Sequence, residues 1–397
     1  MVPISATSEF RPMNEHSPAA GHMSVPVLLA LYLVIGCSEG GVERPVRDVP
    51  TFQGTIDLEF GEIEGEDPYL FTRIESMVED TRGRLIVADL QSHEIRVFDS
   101  EGDFLFRFGG QGEGPGELTQ PCCLAFGPDG NLWVRESTRY SVFQLDDASA
   151  EYDGGARIAH GGVGMVAPVT FDTEGRLVDI GPVTTDDGPV VARFHHAPGG
   201  AVDTVPLADP ERQATGSTTA ERVIGESLVT FYVRQPLGPR WIHAHGPSGV
   251  WAEAVTSEYS VTLQHPDGTV SHVEGPQLTG PRLGPSERER ARATVAGDLR
   301  RLGLRDHPFG VPDRKPPLAD IFFDRAGRLW VEKSSTEGDE VREADVYAGS
   351  ALVARYRWPR RVSVGNVPWV TESVLYGTTR DSLDVRRVAR VRFEPGF

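Results

Sequence analysis

Apolar and polar residues alternate with a two-residue period along most of this chain, in short runs punctuated by glycine turns. One phrase returns: Gly83-Arg84-Leu85-Ile86-Val87, Gly130-Asn131-Leu132-Trp133-Val134, Gly175-Arg176-Leu177-Val178, Gly249-Val250-Trp251, Gly327-Arg328-Leu329-Trp330-Val331 and, most weakly, Val374-Leu375-Tyr376-Gly377. Period-two patterning over four to eight residues is the signature of half-buried strands. Around Gly83 the pattern predicts four strands: Arg73 to Glu79, Arg84 to Asp89, Glu94 to Asp99 and Phe104 to Gly109. The first turn glycines recur at a spacing of about 45 residues, the length of four short strands with their turns. Two longer spacings mark insertions.

Such a unit is one blade of a β-propeller. The expected fold is therefore all-β: a six-bladed β-propeller with one helical insertion between blades four and five. Blade two begins at Cys122, blade three runs from Pro168 to Leu207, and blade four from Arg240 to Val273. Blade five covers Leu318 to Trp358, and blade six begins at Val362. The stretch Leu58 to Leu70 parallels Phe106 to Leu118, an outer strand with its exit loop, and has no blade of its own. It is expected to complete blade six, with Leu375 to Thr379 and Arg386 to Phe393 supplied from the other end, so that an N-terminal strand closes the ring.

Two segments interrupt the repeat. Ala208 to Thr230 reads as a polar insert. Within Pro281 to Pro317, Ser286 and Glu289 have the spacing of a capping box, and Ala291, Val295, Leu299 and Leu302 mark one apolar helical face before a proline-rich stop. This helix is expected on the face that carries the blade-to-blade crossovers, covering apolar surface or serving as a lid.

Ahead of the repeats, Val25 to Ile35 is an apolar run too short for an ordinary membrane span but long enough for the core of an export signal. It ends in Val34-Ile35-Gly36-Cys37-Ser38, which resembles a bacterial lipoprotein signal. That resemblance implies a signal peptide over 1–36, cleavage before a lipidated Cys37, a flexible tether over 37–50 and a propeller over 51–397. The only other cysteines, Cys122 and Cys123, are adjacent; because neighbours in a strand point to opposite faces, they are read as buried free thiols rather than a disulfide. Gly83 to Gly109, with Gly109-Gly110-Gln111-Gly112-Glu113-Gly114-Pro115-Gly116-Glu117-Leu118 running into Pro121, resembles the six-bladed NHL-type propellers found as bacterial surface lipoproteins. The resemblance covers the body of the chain, most strongly in blades one, two and five. It implies a location on the bacterial cell envelope, held to the membrane through the lipid alone.

The formal net charge of −19, from 39 basic and 58 acidic residues, provides no basic field for a nucleic-acid partner. The glycine-rich stretch Gly109 to Gly116 lacks the Lys-Ser/Thr and the following helix of a phosphate cradle. No Gly-x-Ser-x-Gly elbow is present. His243 and His245 stand two apart on a presumed inner strand in line with Trp241, so all three face one side. Two histidines there suggest a zinc site like that of amidating lyases of propeller fold, but no third histidine recurs in register. A calcium-dependent lactonase needs asparagine ligands, and beyond Cys37 only Asn131 and Asn366 exist. No cofactor is therefore expected; zinc or calcium belongs to the alternative of a metal-dependent lyase or hydrolase working at the channel. The favoured expectation is a non-catalytic module that binds a protein or small-molecule ligand on the crossover face, through loop and channel residues His93, Arg139, Trp241, His243, His245 and Lys333.

Overall fold

The computed structural model describes residues 49–158, 170–185, 188–197, 200–206, 215–224, 227–305, 307–365 and 367–396. All of these lie in one unit, Arg47–Phe397. Cys37, the signal segment and most of the tether fall outside the described residues.

Each repeat folds as the sequence predicts, into four antiparallel strands ordered from the axis outward. Blade one is Ile74–Glu79, Leu85–Asp89, Glu94–Phe98 and Phe104–Gly109. Blade two is Leu124–Phe126, Leu132–Arg135, Arg139–Leu145 and Ala150–Arg157. Blade three is Thr170–Phe171, Leu177–Thr185, Gly188–His196 and Val202–Pro206. Blade four is Trp241–His245, Trp251–Val255, Ser260–Gln264 and Val270–Glu274. Blade five is Leu318–Phe323, Leu329–Lys333, Val341–Ala348 and Ala351–Pro359. Blade six takes Trp369–Val370, Val374–Arg380 and Arg386–Pro395 from the C-terminal end and Thr51–Phe60 from the N-terminal end. This is a six-bladed β-propeller.

The closing strand is doubly paired. It runs antiparallel to Arg386–Pro395 from Phe52↔Pro395 to Phe60↔Val388, and its first residues pair in parallel with the outer strand of blade five, Thr51↔Arg355 to Gln53↔Arg357. Phe52 stacks on the buried Tyr356 with ring centroids 4.7 Å apart. Asp57 accepts from Arg390 Nε at 3.0 Å and Arg392 Nε at 2.8 Å, and Glu59 from Arg361 Nη1 at 2.6 Å. These arginines hold both carboxyls below the usual carboxylate range, against the burial that would raise them.

The turn between the first two strands explains the Gly-Arg phrase. In blades one, three and five an aspartate precedes the arginine by four residues. Asp80 Oδ2 accepts from Arg84 Nε at 2.8 Å, Asp172 from Arg176 at 2.8 Å and Asp324 from Arg328 at 2.7 Å. The other carboxylate oxygen accepts backbone N–H groups of the same turn. Gly83, Gly175 and Gly327 take the left-handed conformation that this turn requires, with φ near +78°, +73° and +80°.

Three local expectations are corrected. Cys122 and Cys123 are joined by a disulfide. Both lie ahead of the strand that begins at Leu124, where the backbone need not alternate faces, and both are buried among Tyr140, Ile158 and Leu177. The helix Pro285–Leu302 is capped by Gly284 and Glu287 rather than by Ser286 and Glu289. Pro285 sets the first turn because its missing N–H would be unpaired there anyway, and Glu287 reaches back to accept from Gly284 N at 3.2 Å. The insert before blade four contains a hairpin, Ser217–Ile224 with Ser227–Arg234. Its Ala220 and Val233 pack on Val295, Leu299 and Leu304, and Arg222 Nη1 donates to the Leu302 carbonyl at 2.7 Å. The helix therefore covers a hairpin as its apolar face requires.

Gly54 lies where the closing strand meets two neighbours. A Cβ there would come within 2.5 Å of Val391 Cγ1, 2.8 Å of Phe393 Cε1 and 3.0 Å of the Arg357 carbonyl. Gly54→Ala is expected to cost about 1–3 kcal/mol through overpacking of the closure. Urea unfolding checks this, and an unchanged midpoint would show that the closing strand is not clamped.

Candidate functional site

The inner strands leave one edge each toward the axis and enclose a cavity of about 520 Å³. All six blades line it, blade three through Thr170, with Met77, Val78, Leu124, Ala125, Ile242, Phe322 and Val364 among the apolar groups. A volume of this size suits a small organic molecule. Polar groups gather at the two ends of the blade-five inner strand, one on the crossover face and one on the face of the Asp–Gly–Arg turns.

On the crossover side stand Arg240, Asp320, Glu332 and Arg342. Register slips by one residue between Leu318 and Asp320, and such a bulge re-aims side chains at a sheet edge. Asp320 consequently faces its cross-strand partner Glu332 at the cavity wall. Arg342 Nη1 donates to Glu332 Oε1 at 2.8 Å, Arg240 stands 4.0 Å from Asp320, and Asp320 accepts from Ile321 N at 2.9 Å. Burial raises both carboxyls above the usual carboxylate range; the arginines pull them back, and Asp320 pushes Glu332 further up. Each positive charge here has its own carboxyl.

Along the blade-four inner strand, Trp241, His243 and His245 share one face, as the spacing predicts. His243 stacks on the fully buried Trp251, with centroids 4.8 Å apart, and His245 meets the same indole edge-on at 4.8 Å. Trp241 lies 4.5 Å from His243 and donates from Nε1 to Glu253 at 3.1 Å. Burial lowers the His243 pKa to about 4 and that of His245 to about 3, where His243 and Arg193 depress it further. Both imidazoles are thus neutral aromatic walls at physiological pH. The two rings are 6.5 Å apart, and among the described residues no group of three His, Cys, Asp or Glu is placed to hold a metal ion. A zinc centre needs at least three such donors, so these residues do not fit one.

At the opposite mouth Arg325 lies over the indole of Trp369, its guanidinium carbon 4.3 Å from the ring centroid, while its backbone N–H donates to the Val370 carbonyl at 2.8 Å. Burial lowers the Arg325 pKa with no neighbouring charge opposing the shift.

The remaining sequence candidates are tied into the framework. His93 Nδ1 lies against the Thr119 carbonyl oxygen. Arg139 donates to Glu136 at 2.9 Å and to the carbonyls of Glu113 and Glu117 at 2.8 and 2.7 Å. Lys333 donates to Glu343 at 2.7 Å and Asp345 at 3.0 Å within blade five. The cavity thus brings together Trp241, His243 and His245, but not His93, Arg139 or Lys333. Sequence reasoning missed Arg240, Asp320, Arg325, Arg342 and Trp369. The signal for Arg325 is internal to the repeat: after the turn aspartate, blades one and three carry Thr81 and Thr173, whereas blade five carries arginine.

A family model described as a 6-bladed beta-propeller matches residues 47–127. Among curated proteins, the chain is 31% identical over 123 residues to Protein brain tumor of Drosophila melanogaster, covering 30% of this chain; it spans only 11% of that relative's length. Among solved structures, a putative exported protein from Bacteroides fragilis is similar over 87% of this chain and 99% of its own, at 12% identity and a TM-score of 0.45. Virginiamycin B lyase from Staphylococcus aureus is similar over 86% and 99%, at 9% identity and a TM-score of 0.42. These structural likenesses say nothing of this chain's chemistry.

The half-buried imidazoles make an acid-stability prediction. An unfolded histidine takes a proton near its ordinary value of 6.5, and the folded ones resist protonation down to about 4 and 3. Their contribution to folding is complete above pH 6.5 and is lost as the pH falls toward 4. Relative to the His243→Phe/His245→Phe double variant, the wild type should lose up to about 1.4 kcal/mol more per pH unit for each histidine across that window. Urea midpoints at stepped pH check this; parallel curves would refute it.

Proposed function

We propose that this chain is a lipid-anchored, NHL-type propeller of the bacterial cell envelope that binds a small ligand in its central channel and performs no chemistry of its own. The observation that carries the binding role is the channel itself, a cavity of about 520 Å³ walled by apolar side chains, aromatic rings and polar groups that converge at its mouths. Its crossover mouth opens on the face where sequence reasoning expected a ligand. The apolar run ending at Val34-Ile35-Gly36-Cys37 supports the anchor.

Two measurements test this reading. The neutral apolar fluorophore N-phenyl-1-naphthylamine should bind the native protein saturably, at one site. Ser363→Trp, an exposed position on the cavity wall, should abolish that binding without changing the melting temperature. Non-saturable uptake, or full binding by the variant, would remove the channel from consideration. In cells, radioactive palmitate should label the wild-type chain and not Cys37→Ala; equal labelling of both would refute the anchor.

A further inference from the structure

Arg325 differs from the other arginines of the channel. Arg342 is paired with Glu332 at 2.8 Å, and Arg240 stands beside Asp320 at 4.0 Å. For Arg325 the aspartate next to it in sequence cannot serve. Asp324 Oδ1 already accepts from Ala326 N at 3.0 Å and Arg328 N at 2.9 Å. Its Oδ2 accepts from Arg328 Nε at 2.7 Å and from the buried Trp330 Nε1 at 3.0 Å. Every lone-pair direction of that carboxylate is thus engaged in holding the turn. The side chain rests on the face of Trp369, and among the described residues no carboxylate is within ion-pair distance of it and no group accepts from its side-chain N–H donors.

A guanidinium held flat on an indole is oriented as well as charged, and its planar fork matches a carboxylate in two-point contact. Next to it the channel presents a partly exposed Phe323, then the neutral His243 and His245, and the apolar side chains of blades one, two and six. The uncharged imidazoles add no cation to this wall, and its other two arginines, Arg240 and Arg342, already stand against Asp320 and Glu332. The geometry points to a ligand with an apolar body and a single carboxylate: the body fills the channel and the carboxylate docks on Arg325 at the turn-side mouth. This assignment rests on the channel being a binding site, and it adds the chemical class of what binds there.

The test compares 1-naphthoate with its neutral counterpart 1-naphthalenemethanol by isothermal titration calorimetry on the full-length protein. The carboxylate should bind about tenfold or more tightly than the alcohol, the range expected of a charge-assisted pair in a recessed site. In Arg325→Gln that preference should vanish while the weaker binding of the alcohol is retained; Arg325→Lys should keep part of it, having the charge without the fork. Equal affinity of the two probes for the wild type overturns the carboxylate assignment but leaves the channel as a binding site, as does binding of N-phenyl-1-naphthylamine alone. An undiminished preference in Arg325→Gln also overturns it. Failure of all three probes to bind would overturn both readings together.

Discussion

The ring depends on one strand supplied from far along the chain. Thr51–Phe60 pairs on one side with Arg386–Pro395 and on the other with the first register positions of the blade-five outer strand. Without it, blade six would end in an open edge of unpaired N–H and C=O groups, and blade five would lose its lateral tie. Closure also fixes where every inner strand stands. The cavity is bounded by groups from all six blades, so its shape exists only when the ends interlock. Charge reinforces the joint: Asp57 and Glu59 on the closing strand are held by arginines on blade six and on the segment leading into it. Since those carboxyls sit below their ordinary range, the joint is strongest when they are ionised and weakens as acid protonates them.

The strand-one-to-strand-two turn carries both the architecture and the chemistry of the turn-side mouth. Three of its positions are committed: the aspartate, the left-handed glycine and the arginine that returns to the aspartate. The residue after the aspartate has no such duty, and blades one, three and five fill it with Thr81, Thr173 and Arg325. A repeat protein varies function most cheaply at positions that the repeat does not use. Arg325 occupies such a position, and the saturated Asp324 beside it keeps the guanidinium available.

The strand pattern, blade boundaries and ring closure were legible because burial enforces a two-residue period and the turn chemistry is local. The shared face of Trp241, His243 and His245 followed from the same period. What was not legible depends on contacts across the fold. His93, Arg139 and Lys333 occupy loops or strand ends that often carry function, but their partners Thr119, Glu113 and Asp345 come from other strands and crossovers, and spacing alone does not reveal them. The hairpin before blade four was missed although its second strand reads Leu228-Val229-Thr230-Phe231-Tyr232-Val233, because what it packs on, Val295 and Leu299 of the helix and Leu304 just after it, lies far along the chain. The Cys122–Cys123 bond was missed because the strand begins two residues later than the apolar pattern suggests.

An anion-binding mouth on a chain of net charge −19 requires that local charge outweigh the global field. At physiological ionic strength screening acts over about 8 Å, so the carboxylates scattered over the outer strands contribute little inside the channel. The charges that matter are those of the wall. At the crossover mouth the two arginines are opposed by two carboxyls whose raised pKa values already mark a site reluctant to hold further negative charge. At the other mouth Asp324 is neutralised by Arg328 and capped by Trp330, and among the described residues no carboxylate opposes Arg325. The channel is therefore electrically asymmetric along its axis, and an amphiphilic carboxylate would be oriented by that asymmetry, its anionic end drawn to the turns and its apolar end toward the crossovers.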